Sequence, residues 1–309
     1  MALSKKKKTV IIICGPTAVG KTGIAIEVAK NFHTEIISAD SRQCFRELEI
    51  GVARPSLKNL NEVKHHFIAS HSIHNEMNAS VFENYALQKA EEIFSKQNVA
   101  IMVRGTGLYI KAFCEGLDEI PGSGSGIRTR ITEGFKKNGL GWLQDEVKKK
   151  DPSFYETGEI QNPQRMMRAL EVVETTGKSI LNFHKGEKTK RDFNILKIGL
   201  ELPKEELQRN IESRVEQMIE KGLVEEVRRL LPDKHLNALQ TVGYSEIFAY
   251  LQGNSTLTRA VEEIKKNTRQ YAKRQMTWFR KDKEVQWFFP YEIDKIIEFT
   301  TKKLNPELQ

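Results

Sequence analysis

An α/β fold built on a doubly wound parallel sheet of the phosphate-loop type, carrying an all-helical insertion, is predicted by three observations. Short β-rich runs alternate with helical spacing through the first third of the chain. The first run leads into a glycine-rich phosphate-binding motif, and the alternation stops after Pro121 to resume near Phe193. Residues 10–13, 35–38 and 99–103 are the β-rich runs, with apolar residues at helical spacing over 24–32 and 81–94 between them. Strands separated by helices of this length pair in parallel. Residues 122–126, GSGSG, read as a flexible hinge, and 127 to about 190 are charged, helical in pattern and poor in strand signals. A strand over 193–200 returns the chain to the sheet, an amphipathic stretch runs from Leu207 to Leu230, and 285–289 closes as a short strand. The predicted organisation is a core of 1–117 and 191–309 around a helical domain of 118–190.

The motif is Gly15, Pro16, Thr17, Ala18, Val19, Gly20, Lys21, Thr22. After a strand and before a helix, this pattern wraps backbone N–H groups around phosphate oxygens. Lys21 adds a point charge, and the Thr22 hydroxyl is placed to hold Mg²⁺ at a helix N-terminus. The loop grips a polyphosphate but does not name a reaction, since hydrolases, kinases and enzymes with a diphosphate leaving group share it.

Composition narrows the class. The 309 residues are 39% apolar and 29% charged, which fits a globular protein with a sizeable core. No apolar run approaches the roughly 20 residues that cross a bilayer, so a cytoplasmic protein without a membrane partner is expected. Cys14, Cys44 and Cys114 are scattered, with neither disulfide nor zinc spacing, and the spacing of His65, His66, His71 and His74 matches no usual ligand pattern. The net charge of +8 suits a polyanionic partner. Nine Lys or Arg against three acids lie in 259–283, with Tyr271, Trp278 and Phe279 among them. Such a face can track a phosphate backbone and stack on bases, although a solvated helix with core aromatics reads the same way.

The remaining chemistry-bearing residues sit at strand ends. Asp40 follows the second strand, at the sheet edge where ligands bind, and suits Mg²⁺ ligation through water, proton acceptance, or capping of the next helix. Thr106 lies in a glycine-containing turn after the third strand, where a donor can stabilise charge on a leaving oxygen. In the insertion, Asn162 and Pro163 open a helix that carries Gln164 and Arg168 four residues apart on one face. An amide beside a guanidinium can read a base edge and hold a phosphate.

Together these segments resemble the bacterial tRNA dimethylallyltransferase family, also called tRNA isopentenyltransferases. The matching blocks are GPTAVGKT at 15–22, SADSRQ at 38–43, IGVARPS at 50–56, HHFI at 65–68, GTGLYIKA at 105–112, NPQRMMRALEV at 162–172, LQTVGYSEI at 239–247 and RQYAKRQMTWFR at 269–280, in family order over nearly the whole chain. The resemblance implies transfer of a dimethylallyl group from dimethylallyl diphosphate to the exocyclic N6 of an adenine beside the anticodon of tRNA, with Mg²⁺ as cofactor and the phosphate loop holding a leaving diphosphate. It implies that Asp40 orients N6 and takes its proton and that Thr106 contacts the diphosphate bridge. Ser41, Arg42 and Gln43 would flank the adenine, and Gln164, Arg165, Met166, Met167 and Arg168 would meet the anticodon stem-loop. Arg128 is a further tRNA contact and Arg214 a diphosphate or RNA contact on the same basis, and a monomer is expected. The chain departs from the family pattern at Arg104, where Gly is usual, and at Arg54, where Lys is usual. Arg54 keeps its charge, and little change is expected there. A phosphate-loop kinase or NTPase, a prenyltransferase acting on free AMP, ADP or ATP, and an RNA-binding module with a vestigial nucleotide site are the alternatives.

Overall fold

The computed structural model describes residues 7–103, 105–122, 124–184 and 186–305. Arg104, and Ser123 of the expected hinge, lie outside the described residues. In chain order the elements are β1 (Thr9–Cys14), α1 (Lys21–Asn31), β2 (Ile36–Ser38), α2 (Leu57–Glu62), β3 (His65–His66), α3 (Ala79–Phe94), β4 (Val99–Val103), α4 (Gly107–Glu115), α5 (Ser125–Lys150), α6 (Pro152–Thr157), α7 (Pro163–Thr176), β5 (Asn194–Leu200), α8 (Lys204–Glu220), α9 (Leu223–Arg229), α10 (Tyr244–Leu251), α11 (Leu257–Phe279), β6 (Gln286–Phe288) and α12 (Ile293–Leu304). The chain divides into two units, Met1–Glu115 with Lys190–Gln309, and Gly116–Thr189.

In the first unit the described strands form one parallel six-stranded sheet in the order β3-β2-β4-β1-β5-β6. The order departs from the chain in both directions from β1, which is the doubly wound arrangement the alternating pattern predicts. β1 and β4 are buried along their whole length because helices cover both faces. Val10, Ile12 and Cys14 pack with Met102, Phe82 and Phe113 on one face, and Ile11 and Ile13 pack with Ile101, Ile24 and Ile296 on the other. The two-residue strand β3 gives no alternation to read and is not among the expected strands. The amphipathic stretch from Leu207 to Leu230 is two helices, α8 and α9, broken at Gly222.

The second unit is helical. α5, kinked at Gly139, packs with α6, α7 and a 3₁₀ turn at Ile180–Phe183 around Leu143, Val147, Phe154, Met166 and Leu170. α5 begins at Ser125 with Gly124 as its N-cap, so the GSGSG tract already contributes to a helix where a free hinge was expected.

Among the described residues no helix is long and apolar enough to cross a membrane. All three thiols are buried, and burial pushes each up to about 12. A pKa raised this far leaves the reactive thiolate scarce at pH 8. We therefore expect a thiol reagent at pH 8 to find almost no reactive cysteine in the native protein and three in denaturant; rapid labelling of the folded chain would contradict this packing.

Candidate active site

Strand register brings three chain segments to one edge. Ile13 lies opposite Val103, Val103 opposite Ser38, and Cys14 opposite Gly199, so β1, β2, β4 and β5 end at nearly one level. The phosphate loop leaves β1 through Gly15, whose φ of 144° suits glycine and where a Cβ would meet the Leu200 carbonyl oxygen at 2.5 Å. Lys21 is buried and lies across the loop, donating to the carbonyls of Gly15 at 3.0 Å and Pro16 at 2.5 Å. α1 starts from Gly20 with no side-chain cap and no acid in its first turn, which leaves its N-terminal N–H groups and dipole suited to an anion.

Two residues beyond β2, Asp40 Oδ1 accepts the backbone N–H groups of Arg42 at 2.9 Å and Gln43 at 3.1 Å. This Asx-type turn fixes the carboxylate on the cleft. Gln43 is buried, and its Nε2 donates to the carbonyls of Val52 and Ala53, both at 2.8 Å, while Oε1 is buried without a hydrogen-bond partner. Burial also lowers the pKa of the Arg42 guanidinium from its usual value, although an arginine stays charged.

Beyond β4, the Thr106 hydroxyl accepts the N–H of Ser41 at 3.3 Å and shares a hydrogen bond with Tyr271. Tyr271, Gln275 and Trp278 lie along one face of α11 and meet the 105–107 turn together. Gln275 Nε2 donates to the Gly105 carbonyl at 3.0 Å, and a Cβ on Gly107 would collide with the Trp278 indole at 2.2 Å. Tyr271 keeps 38% of its surface open, and desolvation of its phenol raises it to about 12, so it stays a neutral donor. α11 is the basic helix of the sequence. Its inner face organises a turn of the site, a role that charge and aromatic content do not announce.

Thr17, Lys21, Thr22, Asp40, Arg42, Gln43 and Gly105 line one cleft of about 360 Å³, together with Gly51, Val52, Val215, Met218, Val242 and Ile264. Thr106 borders it through Ser41 and Tyr271. Arg214, from α8, donates to Thr17 Oγ1 at 3.3 Å, and burial lowers its pKa from the usual arginine value. Sequence reasoning missed two polar groups, Gln275 and Glu226. Glu226 is 3% exposed and holds the backbone of 49–51, accepting from Glu49 N at 3.2 Å, Ile50 N at 2.7 Å, Gly51 N at 3.1 Å and Tyr244 Oη at 2.5 Å. Arg54 is more than a retained charge, since its Nη2 reaches the carbonyls of Phe45, Arg46 and Leu48. A lysine in its place would bring an ammonium rather than this planar donor.

In the helical unit, Gln164 and Arg165 are exposed, and Arg165 pairs with Glu159 at 2.5 Å. Arg128 and Arg168 flank the buried Glu171 carboxylate at 2.9 and 3.3 Å, and Arg168 also donates to Pro121 O. Met166 and Met167 must be corrected as tRNA contacts. They are 0% and 6% exposed in the core of this unit, on the inner face of the helix that turns Gln164 and Arg165 outward. Among the described residues no cluster of three or more His, Cys, Asp and Glu side chains could hold a metal.

The family model for IPP transferase matches residues 43–282. The chain is 46% identical to the tRNA dimethylallyltransferase of Christiangramia forsetii, over 96% of this chain and 98% of the relative. It is 43% identical to that of Cytophaga hutchinsonii over the same shares. The crystal structure of the full-length tRNA isopentenylpyrophosphate transferase from Bacillus halodurans superposes with a TM-score of 0.71 at 33% identity, covering 97% of this chain and 98% of that one. A eukaryotic dimethylallyltransferase acting on tRNA gives 0.72 at 26% identity, over 88% and 70%.

Glu226→Ala would strand three amides and the Tyr244 hydroxyl, and should cost about 3–5 kcal/mol. Tyr244→Phe should cost about 1–2 kcal/mol. Denaturant unfolding checks both, and similar costs for the two would mean that Glu226 contributes no more than the Tyr244 bond.

Proposed function

We infer the reaction from family and site together: the chain belongs to the IPP transferase family, and it is an enzyme that transfers a dimethylallyl group to tRNA. The donor we assign is dimethylallyl diphosphate, and the acceptor is the N6 amine of an adenine beside the anticodon. The observation that carries this reading is that a phosphate grip and a fixed carboxylate line a single cleft that also has an apolar wall.

The diphosphate lies on the phosphate-loop amides, with Lys21 and Arg214 as cations. The dimethylallyl group lies against Val215, Met218, Val242 and Ile264. Asp40 receives the amine, with Gln43 Oε1 as a second acceptor. N6 attacks the allylic carbon as the carbon–oxygen bond breaks; the N6 proton goes to Asp40 and the electron pair leaves with the diphosphate. Lys21, the loop amides and the Thr106 hydroxyl stabilise the charge that grows on that leaving group.

The donor set fits Mg²⁺, which commonly takes one or two protein oxygens plus phosphate oxygens and water. Thr22 at the start of α1 would hold it, with Asp40 within the same cleft. Bound there, Mg²⁺ would neutralise diphosphate charge. Gln164, Arg165, Arg128 and Arg168, and the outer basic face of α11, are the surfaces we assign to the anticodon stem-loop. A monomer is part of the same proposal, and a tRNA acceptor is in keeping with a cytoplasmic enzyme.

Incorporation of labelled prenyl group from dimethylallyl diphosphate into unmodified tRNA with Mg²⁺, beside parallel reactions with AMP or ATP, tests the reading. Label should enter tRNA alone; label in free nucleotide would assign a different acceptor. Asp40→Ala and Thr106→Ala should each lower kcat by about 10²–10⁴-fold with tRNA affinity little changed. Equal losses of both would show a binding role instead. The tRNA dissociation constant should rise steeply with salt, by a log–log slope of about 0.7–0.9 per phosphate contacted, and a flat response would remove the basic faces from the interface.

A further inference from the structure

Gln275 does something to the phosphate loop that the motif does not require. From α11 its Oε1 accepts the N–H of Thr17 at 2.8 Å, while Nε2 donates to Gly105 O at 3.0 Å. The side chain is 6% exposed, and a Cβ on Gly105 would stand 2.0 Å from Nε2, so the turn after β4 must be glycine for the amide to fit. Thr17 is the third of eight loop residues, directly after Pro16, whose carbonyl accepts from Lys21. Its hydroxyl is engaged as well, by Arg214.

Backbone N–H groups are the donors with which such a loop holds a phosphate chain. At this end of the loop the N–H is consumed, and a carbonyl oxygen stands against it. A phosphate oxygen arriving there meets an acceptor where it needs a donor. We propose that Gln275 makes the loop a diphosphate site and turns away triphosphates, acting as a specificity-determining residue. The proposal rests on the reading of a diphosphate as the group held by the loop. It also gives a physical reason for a phosphate-loop fold to decline ATP: the discriminating group comes from a helix near the other end of the chain.

The full-length protein with Mg²⁺, titrated calorimetrically with inorganic diphosphate and inorganic tripolyphosphate, provides the test. The unmodified protein should bind diphosphate more tightly by about tenfold or more, the scale of one hydrogen bond to a charged group. Gln275→Leu frees the Thr17 N–H and should shrink that preference by about tenfold. Gln275→Glu keeps an acceptor at Thr17 but cannot donate to Gly105, and should retain the preference. Both variants lose the Gly105 bond, so mere loosening of the turn would move them alike. An unchanged ratio in Gln275→Leu, or the same change in both variants, overturns the proposal while leaving the diphosphate reading intact. An unmodified protein that binds neither polyphosphate overturns that reading and the proposal with it.

Discussion

Everything in the cleft depends on the parallel register of β1, β4 and β2. Val103 stands opposite both Ile13 and Ser38, and the residues just beyond each strand carry the chemistry. A slip of one residue would displace a strand end by about 3.3 Å, more than a hydrogen bond can span. Both faces of β1 and β4 are apolar and covered, so alternation alone does not forbid such a slip. Other contacts must hold the register. The Leu200 carbonyl fills the space that a side chain on Gly15 would take, which sets β5 against the loop. The Asp40 turn and the Thr106 turn are then tied by the bond from Ser41 N to Thr106 Oγ1.

A second set of contacts closes the cleft from segments far along the chain. α8 supplies Arg214, α9 supplies Glu226, and α11 supplies Tyr271, Gln275 and Trp278. Glu226 grips 49–51, the neighbouring carbonyls of Val52 and Ala53 hold the Gln43 side chain, and the Gln43 backbone N–H donates to Asp40. Position is thus handed from a buried carboxylate to the proposed base through backbone, without a direct contact. Buried polar chains of this kind favour a single arrangement, because a half-satisfied member is costly in a low-dielectric interior.

What the sequence revealed follows from how local each feature is. The loop at 15–22, Asp40 and Thr106 were legible because strand, turn and helix start are encoded within a few residues. Asn162 as the cap of α7 was legible for the same reason, and its side chain does accept the Arg165 N–H. Gln275 and Glu226 were not, since a glutamine in a basic helix and a glutamate near a helix start look like solvated residues until the fold buries them. The spacing of Tyr271, Gln275 and Trp278 along one face was the available signal, and it was masked by the lysines and arginines between them. Met166 and Met167 show the opposite error: a motif block was read as a surface, though at helical spacing two of its members must face inward.

The basic helix also shows why charge alone is a poor guide to function. α11 has a polar outer face and an inner face that packs on the 105–107 turn, and an amphipathic helix can do both because side chains three and four apart share a side. Its cations are partly spoken for: Lys265 pairs with Glu216 and Glu262, Lys266 with Glu263, and Arg269 with Glu212. Of these, the solvent-facing Lys266 and Arg269 pairs are worth about 0–1 kcal/mol. If RNA docks where we propose, the outer face can therefore trade partners while the inner face stays fixed. Under the proposed assignment, RNA docked on a helix whose other side holds Thr17, Gly105 and Thr106 would be linked to the cleft through a single element.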